Sequence, residues 1–171
     1  ALGRVEDAAV ALMASLELLL DTVGDEHPHV STTRNSLAGL LLDTGRAADA
    51  VPLLRQVLTW RRAHLGTEHP DTIQAVGNLG WLLHASGSTD EALPLLREAL
   101  AGDRAVRGDA HPATAQTWRN LGLALIANGE LAEARSVLAD ALVATRAALG
   151  DAHPETRALG AWLADAQAAE R

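Results

Sequence analysis

Four His-Pro pairs, His27-Pro28, His69-Pro70, His111-Pro112 and His153-Pro154, follow one another at a constant interval of 42 residues. A shift by that interval brings much more into register. Gly3, Gly45, Gly87 and Gly129 coincide, as do the acids Asp7, Asp49, Glu91 and Glu133, each followed by alanine. Leu37, Leu79, Leu121 and Leu163 coincide too, each followed by Ala or Gly. Self-similarity at a fixed period of this size is the signature of a tandem array, in which each unit must stack on its neighbours to bury its apolar face. The expected division is residues 1–22 as the second helix of an incomplete unit, then units 23–64, 65–106 and 107–148, and residues 149–171 as the first helix of another incomplete unit. An array that starts and stops out of phase is expected to be a fragment of a longer protein whose open ends associate head to tail, a heterologous contact that need not close.

Each unit reads as two helices. In the second unit Val76, Leu79, Gly80 and Leu83 recur at i, i+3, i+4 and i+7, one face of a helix. Trp118, Leu121, Gly122 and Leu125 repeat that face in the third unit, and its small residue allows a neighbouring helix to approach closely. Gly45, Gly87 and Gly129 stand where a left-handed C-terminal cap belongs. The second helix then opens with an acid, which suits the positive end of the helix dipole, and carries the stripe Ala92, Leu95, Leu96, Ala99 and Leu100.

The stretch LGTEHPDT from Leu65 is one copy of the corner between units. Gly24, Gly66, Gly108 and Gly150 can end the second helix in a left-handed cap, and the proline suits the first position of the next helix. Histidine, placed before proline, is pushed out of helical geometry and marks the boundary. The N-cap is either that histidine or the residue two before it: Asp25, Thr67, Asp109 or Asp151. A metal site shared between units is excluded by distance, because packed helix axes lie ~8–10 Å apart while zinc–nitrogen bonds are ~2.1 Å.

Composition narrows the function. Leu and Ala dominate, with four Trp and no Phe or Tyr, which favours helix over strand. A formal charge of −8 is wrong for a nucleic-acid or anionic-membrane binder. The lack of Cys removes thiol catalysis and zinc-thiolate sites, and fits a cytoplasmic protein. The longest apolar stretch, Ala8 to Leu16, is too short to span a bilayer. No phosphate loop, nucleophile elbow or paired carboxylates appear, so no catalytic residue, metal ligand or cofactor is assigned. The Arg-only usage of long basic side chains, with abundant Ala, reads as a GC-rich bacterial codon bias.

The helix pair, the small residue after Leu and the early Ala of the second helix resemble the tetratricopeptide repeat. The 42-residue period and the LG-x-x-HP corner resemble its kinesin-light-chain subgroup. That resemblance implies an all-α, right-handed solenoid of antiparallel helix pairs, about eight helices in this length. It also implies backbone-clamping asparagines in the first helices. Asn35, Asn78 and Asn120 match that Asn-Asn-Leu-Ala pattern, one per unit, and the fourth unit has none.

The residues point to the same face on their own. Gln74, Asn78, Trp81 and Ala85 form a stripe beside the core stripe, and Gln116, Asn120, Leu123 and Ala127 repeat it. His84 and Arg119 adjoin it, whereas Trp118 lies on the core stripe. The expected function is a non-enzymatic protein–protein interaction scaffold that holds a peptide or partner domain, or another domain of its own parent chain, in this concave groove. The alternative is a ligand- or signalling-peptide-sensing arm of a bacterial multidomain regulator.

Overall fold

The computed structural model describes residues 2–168, with side chains from Glu6 onward. Among them are eight helices and no strand: α1 (Leu2–Val23), α2 (Pro28–Asp43), α3 (Ala47–Leu65), α4 (Pro70–Ala85), α5 (Thr89–Arg107), α6 (Pro112–Ala127), α7 (Leu131–Leu149) and α8 (Pro154–Ala168). Helices α2, α4, α6 and α8 are the first helices of the units, and α1, α3, α5 and α7 the second helices. Each helix packs chiefly on those before and after it in the chain. The result is the all-α solenoid that the period implies.

The corners explain where each helix begins. His27, His69 and His111 are N-caps in extended conformation, with ψ of 136–138°, and proline follows each as the first helical residue. Nδ1 of each imidazole accepts the backbone N–H two residues on, at 3.2, 3.1 and 3.1 Å. His153 does the same to Glu155 at 3.2 Å. The cap is therefore the imidazole rather than the preceding Asp or Thr. A ring nitrogen that accepts a hydrogen bond carries no proton, so the neutral rings hold their hydrogen on Nε2.

Two kinds of glycine end the helices. Gly45, Gly87 and Gly129 have φ of 75°, 88° and 77°. Their N–H groups donate to the carbonyls three residues back, and the next residue's N–H reaches back five, the paired bonds of a Schellman motif. Gly66, Gly108 and Gly150 differ from the left-handed cap expected of them. Their φ of 82–88° comes with ψ of 166–168°, an extended region that essentially only glycine enters. A side chain there costs of order 1–3 kcal/mol, which explains why all three corners keep glycine.

The expected stripes form one continuous core. Val76, Leu79, Leu83, Trp118, Leu121 and Leu125 are buried, with Ala92, Leu96, Ala99 and Leu100 facing them. Leu95 is only half-buried, and Leu93 takes a full place in the core instead. The glycines after Leu permit close approach: a Cβ on Gly122 would stand 2.5 Å from Leu138 Cδ2, and one on Gly80 would stand 2.9 Å from Leu96 Cγ. The first unit departs from the pattern. Where the later units place Val76 and Trp118, it buries Arg34, whose charge is balanced by Asp25 at the corner.

Curvature follows from which helices touch. Successive first helices, α4 with α6 and α6 with α8, bring their Cα atoms within 8 Å of one another. Successive second helices are bridged by long side chains: Arg55 to Glu91, Arg62 to Glu98 at 2.6 Å, and Arg97 to Glu133 at 2.8 and 2.6 Å. The closer set lines the inside, so the first helices form the concave face and the ion-pair ladder runs along the convex one.

Removing one cap in His69→Ala lowers stability by about 1 kcal/mol, and His69→Asn, which can accept the same N–H, retains most of it, as thermal melting will show. The ladder predicts a pH and salt dependence. Arg97 holds the Glu133 carboxyl below its ordinary range, mainly by hydrogen bonding and further by charge. A folded-state pKa that is depressed contributes stability above the unfolded value, about pH 4.3, and that contribution fades as pH falls below it. Both side chains are well exposed, so solvent screening keeps the effect under about 1 kcal/mol. Arg97→Gln melts at a lower temperature than the parent at pH 7, and the gap closes at pH 3 or in 1 M salt.

Candidate functional site

The concave face carries clefts between successive first helices, one between α4 and α6 and one between α6 and α8. The best defined lies between α4, the end of α5 and α6, and is lined by Gln74, Asn78, Gln116 and Asn120. Four of the residues expected from sequence thus meet in one place. Gln74, Asn78 and Gln116 are exposed, whereas Asn120 is only 7% exposed. The expectation that both asparagines stand free of the core therefore fails for Asn120, which sits lower on α6 where the helices converge. At about 60 Å³ this cleft takes a side chain or ordered water rather than a whole small molecule.

The next cleft repeats the arrangement one unit on, between α6, α7 and α8. Ala115, Gln116 and Arg119 there stand where Ile73, Gln74 and Gly77 stand in the first. Arg119 is half-buried, and its guanidinium lies 3.6 Å from Glu155 on α8, so the next unit already engages it. Trp81 and Leu123 occupy equivalent half-buried positions one turn beyond the amides. The Trp81 ring tilts against His84 at 5.4 Å. Burial pushes the His84 imidazole below its ordinary pKa, and Nδ1 lies 3.1 Å from Thr89 Oγ1. Asn35, on α2, is half-buried and in the register of Gly77 and Arg119, so it does not join the amide cluster.

The cleft has a floor that the sequence reading missed. Asp103, 3% exposed on α5, is ion-paired to Arg107 and accepts the Thr117 hydroxyl at 2.7 Å. Arg107 also donates to the Pro70 carbonyl at 3.0 Å, tying α5 to the start of α4. Asp103 follows Leu96, Ala99 and Leu100 at i+7, i+4 and i+3. It was legible as a charge on an apolar stripe, with a basic partner four residues on.

Chemically the α4–α6 cleft offers amide donors and acceptors over a fixed polar floor, with the half-buried Trp81 and Leu123 one turn beyond. That suits reversible recognition of a polypeptide, whose backbone presents the same groups. Among the described residues no three His, Asp or Glu side chains gather as metal ligands. No described helix is long and apolar enough to cross a membrane.

The relatives agree with this architecture. The tetratricopeptide repeat family model matches residues 29–105 and 89–147. A Podosopora anserina protein described as a kinesin light chain with nearly identical TPR-like repeats superposes with a TM-score of 0.87 at 28% identity, over 98% of this chain and 80% of that one. A variant of that protein gives 0.89 at 28% identity, over 98% and 79%. BtubC of P. vanneervenii, at 24% identity and a TM-score of 0.78 over 89% of this chain and 60% of that one, shares the fold. No curated protein matches in sequence. With its 42-residue units and His-Pro corners, the chain belongs to the tetratricopeptide repeat family, in its kinesin-light-chain-like form.

Proposed function

We propose that this array is a non-enzymatic scaffold that binds a peptide segment in its concave groove, donated by a partner protein or by another domain of the parent chain. Tetratricopeptide arrays are typically scaffolds for protein–protein interaction. The observation that carries the finer reading is the cluster of Gln74, Asn78, Gln116 and Asn120 around one cleft. Four amides at two equivalent heights can pair with successive peptide groups of an extended segment. Trp81 and Leu123, in line beyond them, would take its apolar side chains. The polar floor of Asp103, Arg107 and Thr117 is already paired internally and holds the helices at the spacing the amides need.

Peptides selected on the immobilised protein from a random-sequence display library supply the probe. Calorimetry with a selected peptide then reads each variant. Asn78→Ala changes stability by about 0.5 kcal/mol or less, since the side chain is exposed, yet weakens binding by roughly 2- to 12-fold, the worth of one hydrogen bond. Trp81→Ala weakens it by about 30-fold if the ring is an anchor. Asn120→Ala is buried, so its affinity is compared only at a temperature where melting shows it folded. Selected peptides that bind all three variants as tightly as the parent would remove the groove as the site.

A further inference from the structure

The corner sites on the outer edge of the array differ among the three full units in an informative way. In the first unit Trp60 on α3 reaches the preceding corner, where its indole N–H donates to the Glu26 carbonyl at 2.8 Å. His64, one turn on, stacks on the indole at 4.4 Å and 13°. One period later the counterparts of Trp60, Glu26 and His64 are Gly102, Glu68 and Val106. All three line an open pocket of about 330 Å³, together with Thr67, Ile73 and Ala99. The second unit, with glycine in place of the indole, has a cavity among its counterparts.

The third unit shows that this is more than a missing side chain. Its corresponding cleft is lined by Arg104, Asp109, Ala110, Asp140 and Ala144. Arg104 bonds Asp109 at 2.8 Å across the corner and lies over Trp118, 5.5 Å from the ring. In the second unit the corner residue is Thr67, which carries no charge, and Arg62 instead bonds Glu98 at 2.6 and 2.8 Å. The middle unit alone therefore has neither an indole of its own nor an ion pair across the corner. The Glu68 carbonyl, counterpart of the one that Trp60 satisfies, accepts no hydrogen bond among the described residues.

We propose that the pocket at the α3–α4 corner is a receptor for a small molecule bearing an indole ring, whose N–H donates to the Glu68 carbonyl while the ring lies between Val106 and Ile73. The chain itself supplies the template, since the first unit fills the equivalent place with that chemistry. A compact ligand is favoured over a polypeptide because the pocket is lined by one unit only and shares no residue with the cleft of the next. Its volume lies at the lower end of the range for small-molecule sites. Apolar walls and one orienting acceptor are what such sites use. Ile73 lies between this pocket and the concave cleft, so the N1-methylated probe on the unaltered chain, which touches no groove residue, separates failure of this site from failure of peptide binding.

The test uses the full chain, with indole-3-acetamide as probe and amide shifts in ¹⁵N-resolved NMR as readout. Saturable shifts centred on Glu68, Gly102 and Val106 are expected. The N1-methylated probe should bind roughly 2- to 12-fold more weakly, because it loses one hydrogen bond. In Ile73→Ser/Gly102→Trp, which copies the Ser31 and Trp60 pair of the first unit, binding should fall by more than tenfold. The paired change is needed because a Cβ on Gly102 alone would meet Ile73 Cγ1 at 2.8 Å. Equal affinity for the methylated probe overturns the hydrogen bond to Glu68 without relying on any variant. Absence of shifts at these amides, or a site that binds only tryptophan within a longer peptide, overturns the small-molecule assignment.

Discussion

The direction of every first helix is set by a corner that only one residue type can make. Gly66, Gly108 and Gly150 sit at positive φ with extended ψ, and three residues later an imidazole caps the next helix with proline already in place. The glycine turns the chain out of one helix, and the His-Pro pair starts the next at a fixed distance. A unit whose apolar face is satisfied only by its neighbours has no other way to find them. If one corner opened by a residue, the stripes Val76-Leu79-Leu83 and Trp118-Leu121-Leu125 would no longer face the same neighbour. The constant 42-residue interval is the sequence trace of that geometry.

Most of the frame was legible because it is periodic. A residue type that recurs at one place in each unit can be assigned by its most demanding instance, which locates the helix-ending glycines, the first-turn prolines and most core leucines, though not the extended ψ of Gly66, Gly108 and Gly150 or the half-buried Leu95. What escaped was of two kinds. The capping atom could not be separated from the Asp or Thr nearby, since both have acceptors and the choice depends on side-chain direction. The polar floor also escaped. Asp103 occupies a register that holds Arg61 in one unit and Thr145 in another, so the repeat does not mark it, and its one signal is a charge on an apolar stripe with Arg107 four residues on. Asn120 is buried where its stripe suggests exposure for a related reason, because a stripe beside the core is exposed or buried according to how closely the next helix approaches.

The informative positions are therefore those where the frame is constant and the residue is not. Arg34, Val76 and Trp118 share one core register. The arginine survives burial only because the first unit has Asp25 at its corner, and Trp118 lies beneath Arg104, whose charge is held by Asp109. Corner and core are coupled: an acid at the corner recruits an arginine in each of those units and in the last, where Arg146 meets Asp151 at 2.5 Å. Thr67 breaks the rule and frees Arg62 for Glu98. One neutral corner thus alters the convex ladder.

The two faces divide the physics of the array between them. On the convex side the cross-helix pairs are exposed, contribute little each and weaken with salt. On the concave side the cross-helix contacts are more buried, as with Asp103, Arg107 and Thr117, and the one ion pair between first helices among the described residues, Arg119 with Glu155, is half-buried. Loosening the convex ladder would let the second helices spread while the concave contacts held, so curvature should respond to ionic strength more readily than the local geometry of any one cleft. The inner-face clefts are thus framed by contacts that salt reaches less than it reaches the exposed convex pairs.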